Sequence, residues 1–96
     1  MVVNHKTILM HIILMYDISG KGVVKMLKLC RQYLNWIQNS VFEGEITEKQ
    51  LADLLAQANK IINYEKDSLI IFKIRDEKWL YKEIIGKNID TMENIL

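Results

Sequence analysis

Residues 8–19 read Ile-Leu-Met-His-Ile-Ile-Leu-Met-Tyr-Asp-Ile-Ser, a near-continuous apolar run that ends at Asp17. A strand turns successive side chains to opposite faces, so Ile8, Met10, Ile12 and Leu14 share one side. Leu9, Ile13 and Met15 take the other, and Asp17 follows them on it. Apolar residues on both sides predict a strand buried on both faces. The run is too short for a membrane helix, which needs roughly 20 residues. As the core of a signal peptide it lacks a small-x-small cleavage site, because Asp17 comes next. Ser68-Leu-Ile-Ile-Phe-Lys-Ile74 repeats the pattern, with Ile70, Phe72 and Ile74 against Leu69 and Ile71.

Outward from the first strand, Ser19-Gly20-Lys21-Gly22 is a loop by its glycines. From Val23 to Ile37 the period becomes helical, with Val23, Leu27, Cys30, Leu34 and Ile37 on one stripe. Lys21, Lys25, Lys28 and Gln32 lie opposite, and Arg31 lies on the flank. Residues 38–46 return to extended character as one bent strand or two short ones, with Gly44 at a bulge or turn. Thr47-Glu-Lys-Gln50 is a capping box, and Leu51, Leu54, Leu55, Ala58, Ile61 and Ile62 form the helical stripe after it. Asn63 to Asp67 is a polar turn before the Ser68–Ile74 strand. Asp76 to Leu80 fits a helical turn, and Tyr81 to Gly86 a short edge strand.

The order is βαββαβ, an α+β ferredoxin-like sandwich with an extra C-terminal strand. Two helices cover one face of a four-stranded sheet. The apolar residues of the second face then need another chain, and a homodimer through the sheet is the economical arrangement. We place the domain at residues 10–86, a misassigned or non-native extension at 1–9, and a tail at 87–96.

Composition narrows the class. The chain of 96 residues is half hydrophobic and a quarter charged, which excludes disorder and allows one domain. One cysteine excludes a disulfide framework and a multi-cysteine metal cage. The net charge of +1 does not announce a nucleic-acid binder, and the reading is cytoplasmic with no membrane partner. Charge is nevertheless patterned: between Asp17 and Glu43 stand Lys21, Lys25, Lys28 and Arg31 with no acid among them. Such a stripe fits either a solvated helix face or a track for a phosphate backbone.

Ser19-Gly20-Lys21-Gly22 lacks the spacing of a phosphate-binding loop and reads as a turn. Cys30 reads as a small buried hydrophobe, and His11 as a packed or interface histidine. Asp17 is the carboxylate of interest. It closes an apolar strand beside Tyr16, on the presumed dimer face, where it would meet its twofold mate. Two such carboxylates repel unless they share a proton or a divalent cation. The competing assignment is a strand-end Asx turn or helix cap.

Met10-His-Ile-Ile-Leu-Met-Tyr-Asp-Ile-Ser19 is similar to the opening strand of the small CRISPR-associated adaptation proteins, which ends in hydrophobic-Tyr-Asp-[Ile/Val]. Asn35-Trp-Ile-Gln-Asn-Ser-Val-Phe-Glu-Gly-Glu45 resembles their central block, and Asp67-Ser-Leu-Ile-Ile-Phe-Lys-Ile74 their late strand. The resemblance implies a homodimer whose C-terminal strands pair with the partner's sheet. It implies a central spacer between two dimers of the CRISPR integrase, a double-stranded DNA partner, and magnesium-dependent endonuclease activity on single-stranded RNA or duplex DNA. Asp17 would be both catalytic and metal-binding, with one Mg2+ per dimer shared by the two copies of Asp17. Tyr16, Ser19 and Phe42 would support it, and Lys21, Lys25, Lys28 and Arg31 would bind nucleic acid. Some relatives carry arginines where Gly22 to Val24 and Trp36 stand here. A stand-alone RNA-cleaving toxin of the virulence-associated interferase type and a ligand-sensing regulatory module on the same fold are the competing functions. An integrase gene and a repeat array beside this gene, or an antitoxin gene, would separate the first two.

Overall fold

The computed structural model describes residues 8–76, 78 and 80–86. Its elements are β1 (Leu9–Asp17), α1 (Gly22–Tyr33), β2 (Asn35–Gln38), β3 (Val41–Thr47), α2 (Glu48–Ile61) and β4 (Ser68–Ile74). The strands lie in the order β2-β3-β1-β4 with every neighbouring pair antiparallel, the ferredoxin-like α+β arrangement. β1 is thus an inner strand, which is why its sequence is apolar on both sides.

Register assigns the faces. Leu14 lies between Phe42 and Ile71, and Tyr16 beside Leu69. These side chains point to the helices and meet Met26, Leu29, Cys30, Leu51, Leu54 and Ala58 in one core. Ile13 lies between Glu43 and Phe72, and Met15 between Val41 and Ile70, on the face that carries no helix. Phe72 is 51% exposed and Ile70 49% exposed there.

α1 ends at Tyr33, four residues before the helix that spacing predicts. Leu34 is extended (φ −130°, ψ 167°) and still buried, so its apolar contact mimics one more helical turn. Asn35–Gln38 instead pairs with β3, which resolves residues 38–46 into the end of one strand and the whole of a second. Asn39 turns the chain between them at φ 43°, a left-handed conformation that asparagine tolerates. Gly44 marks neither the turn nor a bulge. A Cβ on it would sit 3.3 Å from Leu34 Cδ2, so glycine permits the close approach of the chain after α1. The buried face of α1 is also rotated from the expected stripe: Met26, Leu29 and Cys30 are buried, while Val23 is exposed and Leu27 half-buried.

α2 follows its sequence closely. The Gln50 N–H donates to Thr47 Oγ1 (3.1 Å), and the Thr47 N–H to Gln50 Oε1 (2.9 Å). Beyond β4, the Lys78 N–H donates to Asp76 Oδ1 (3.1 Å), a local turn. Residues 81–85 carry no regular secondary structure and add no strand to this chain's own sheet. Lys82 instead reaches Glu43 on the helix-free face. The proposed N-terminal extension falls almost wholly outside the described residues, as does the proposed tail at 87–96. Among the described residues no helix is long and apolar enough to cross a membrane.

Candidate functional site

The carboxyl end of β1 carries Asp17, exposed and in register with Ser68 of β4. The loop after it is clamped. Asp67 accepts the Ser19 N–H on Oδ1 (3.4 Å) and the Asn63 N–H on Oδ2 (2.9 Å), tying the β1–α1 loop to the turn before β4. The other side is tied by the Tyr16 N–H, which donates to the Ser40 carbonyl (3.2 Å). Asp17 therefore stands at a strand end fixed to both neighbouring turns.

Tyr16 and Phe42 lie beneath it rather than in it. Their rings stack with centroids 6.0 Å apart and planes 21° apart, and both are buried in the core. Burial, with a smaller contribution from Cys30, raises the Tyr16 phenol above its ordinary pKa, so it stays protonated. Burial also pushes the Cys30 thiol up to about 12, which makes it inert as a nucleophile. Ser19 is exposed at the loop, and Lys21 follows it as the residue capping α1.

The basic stripe divides. Lys25 and Lys28 are exposed on the solvent side of α1. Arg31 continues the Val23–Leu27 row at i+4 spacing and places its guanidinium 5.3 Å from the Trp36 ring centre. The sequence places Trp36 in the block that resembles the family's and at a position where some relatives carry arginine, without assigning it to the site. The structure puts it on a cleft of about 310 Å3 shared with Asp17, Ile18, Val23, Leu27 and Ser40. The pairing of β2 with β3 creates that proximity, and a helix through Ile37 would have hidden it.

A second polar cluster lies farther back on β1, on the helix-free face. The His11 Nε2–H donates to Glu43 Oε2 (3.0 Å), Lys82 pairs with Glu43 Oε1, and His11 and Glu43 are both buried. Burial alone would raise the Glu43 pKa, but hydrogen bonds from Lys82 and His11 outweigh it and hold the carboxyl below its ordinary 4.5. A depressed folded pKa stabilises the fold above the unfolded value, and that stabilisation is lost as pH falls through the folded value. We expect urea midpoints of the wild type to drop more between pH 7 and about pH 3 than those of Glu43→Gln. Equal drops would remove Glu43 from the acid response.

Asp17 also sets what a metal could find. Asp67 already accepts two backbone N–H groups, and among the described residues no three His, Cys, Asp or Glu side chains cluster for a metal. Asp67 is thus engaged by the backbone, which leaves Asp17 as the exposed carboxylate at this end. Magnesium keeps several waters and binds through one or two carboxylates, so an exposed Asp17 carboxylate is the type of donor that Mg2+ takes.

The sequence model of the family described as CRISPR associated protein Cas2 matches residues 10–81. The chain is 40% identical over 92 residues to the CRISPR-associated endoribonuclease Cas2 of Fusobacterium nucleatum, covering 91% of this chain and 87% of that protein. It is 41% identical to the Dictyoglomus turgidum protein of the same name, covering 91% of this chain and all of that protein. Among solved structures, one titled as a crystal structure of Cas2 superposes with a TM-score of 0.77 at 34% identity, covering 83% of this chain and 90% of that one. Streptococcus pyogenes Cas2 gives 0.61 at 25% identity, covering 85% of this chain and 93% of that one. The strand that ends in Tyr16-Asp17, the four-stranded sheet it organises and the extent of these matches agree that the chain belongs to the Cas2 family of CRISPR-associated proteins.

Proposed function

We propose that this chain is a magnesium-dependent endoribonuclease that acts as a homodimer, with Asp17 of each copy contributing to one site at the twofold axis. The observation that carries this reading is the placement of an exposed carboxylate at the end of the inner strand, on the sheet face that carries no helix. The exposed Ile70 and Phe72 on that face supply the apolar area for a second copy. The endoribonuclease name of the Fusobacterium and Dictyoglomus relatives supports the reaction class.

Each residue then has a part. The two Asp17 carboxylates hold the cation, which when bound supplies charge neutralisation at the phosphoryl oxygens and a water of lowered pKa. Lys21, at the end of the same loop, faces the phosphate with a flexible ammonium. The buried Tyr16–Phe42 stack and the Asp67 clamp keep the strand end in place. Within the CRISPR system the dimer would bridge two integrase dimers during spacer acquisition and contact duplex DNA through Lys21, Lys25, Lys28 and Arg31.

The test couples assembly to chemistry. Sedimentation at micromolar concentration should give a dimer for the wild type and a monomer for Phe72→Lys. The monomer should lose magnesium-dependent RNA cleavage although its Asp17 is intact. Cleavage by a monomer would overturn the shared site. Co-purification with the integrase of the same genome, followed by a spacer-insertion assay, tests the adaptation role.

A further inference from the structure

The cleft beside Asp17 has the composition of a base-binding slot. One wall is the Trp36 indole, half-buried and held in orientation by its N–H, which donates to the Asn39 carbonyl (2.9 Å). Arg31 lies over the ring at 5.3 Å, and the Tyr16–Ser40 backbone bond holds the turn that carries Asn39. The facing side is apolar, formed by Val23 and Leu27 of α1, and Ser40 lends a hydroxyl. At about 310 Å3 the volume lies at the low end of small-ligand pockets, roughly 300–1,000 Å3, suited to one nucleoside rather than two. Asp17 belongs to the lining, and Arg31 supplies a cation over the Trp36 ring.

We infer that this cleft is a nucleobase subsite in which Trp36 stacks one base of single-stranded RNA, next to the phosphate presented to Asp17. The inference rests on the endoribonuclease reading above and names the strand geometry that reading needs. An aromatic ring already fixed by a hydrogen bond loses little freedom when a base stacks on it, and every base has a face to offer. Arg31, over the ring, then offers N–H donors to the backbone of the stacked nucleotide. Duplex DNA does not satisfy the slot, because its bases are already stacked and extruding one costs a few kcal/mol. Trp36 is a positioning residue. It makes cleavage depend on an unpaired base beside the scissile phosphate.

The experiment measures binding without cleavage, in EDTA, by fluorescence anisotropy of a labelled ten-nucleotide single-stranded RNA. The comparators are an abasic oligonucleotide of the same length and a duplex DNA. Stacking contributes roughly 1–3 kcal/mol per base, so Trp36→Ala should weaken RNA binding by about 5- to 160-fold. Trp36→Phe should stay within about threefold of the wild type. Binding to the abasic strand and to the duplex should change less than about twofold, and far-UV circular dichroism should show the folded content of the wild type. Equal RNA affinity of wild type and Trp36→Ala, equal losses on all three probes, or a wild type that does not bind the RNA would each overturn the subsite. The stacking role is read in EDTA from the wild type and the Trp36 variants alone, and the cleavage assay with Mg2+ is run on Asp17→Asn. Failure of the Asp17 assignment, seen as cleavage by that variant, is thereby distinguishable from failure of the stacking role.

Discussion

Asp17→Asn should lower magnesium-dependent RNA cleavage by at least about 100-fold, the scale seen when a group that stabilises transition-state charge is removed. The amide keeps the shape of the side chain but is a poor ligand for a hard dication, and both copies in a dimer lose their carboxylate together. Asp17 is exposed and lies outside the packed core, so the fold should not notice the change. Thermal unfolding and sedimentation of the variant should match the wild type, which isolates the chemical effect. A single-turnover assay with purified variant and titrated Mg2+ reads it. Rates within about threefold of the wild type would place the chemistry elsewhere in the molecule.

Phe42→Ala acts through the core instead. Phe42 is fully buried, stacked on Tyr16 and paired across the sheet with Leu14 on one side and Trp36 on the other. Truncating a buried phenylalanine costs about 3–5 kcal/mol, which is a large share of the roughly 5–15 kcal/mol that holds a small domain together. We expect the urea midpoint to fall correspondingly, and cleavage to fall with it because Tyr16 loses the ring that seats it. Phe42→Leu keeps most of the apolar bulk but no ring, so it should cost less stability than Phe42→Ala and recover only the part of the cleavage that follows the folded fraction. A large stability loss with unchanged cleavage by the folded fraction would separate Phe42 from the site altogether.

These two residues show what the sequence carried. The inner strand was legible because period-two alternation with apolar residues on both sides has few alternatives, and it placed Asp17 on the helix-free face. α2 was legible because Thr47 and Gln50 announce its start and Leu51, Leu54 and Ala58 repeat at helical spacing. α1 was misread at its end, since Leu34 is buried in either conformation and spacing cannot register that its backbone has become extended. That error concealed Trp36, whose place is set by pairing with Phe42 across a hairpin. The ion pair of Glu43 with Lys82 and the clamp of Asp67 join residues far apart in sequence, and no local pattern encodes them. Phe42, expected as a support to the site, reaches it only through the Tyr16 ring.

The strand order also fixes a sequence of events in time. β1 leaves the ribosome first, yet one of its two neighbours, β4, is about 60 residues downstream. At roughly 5–20 residues per second, several seconds separate synthesis of the strand from synthesis of the partner that seals its second edge. During that interval α1, the β2–β3 hairpin and then α2 can cover the strand, while the edge of Leu9–Asp17 that β4 pairs with stays open. The nascent chain is therefore most prone to clumping before Ile74 has emerged, and the last strand acts as the closing seam of the newborn protein.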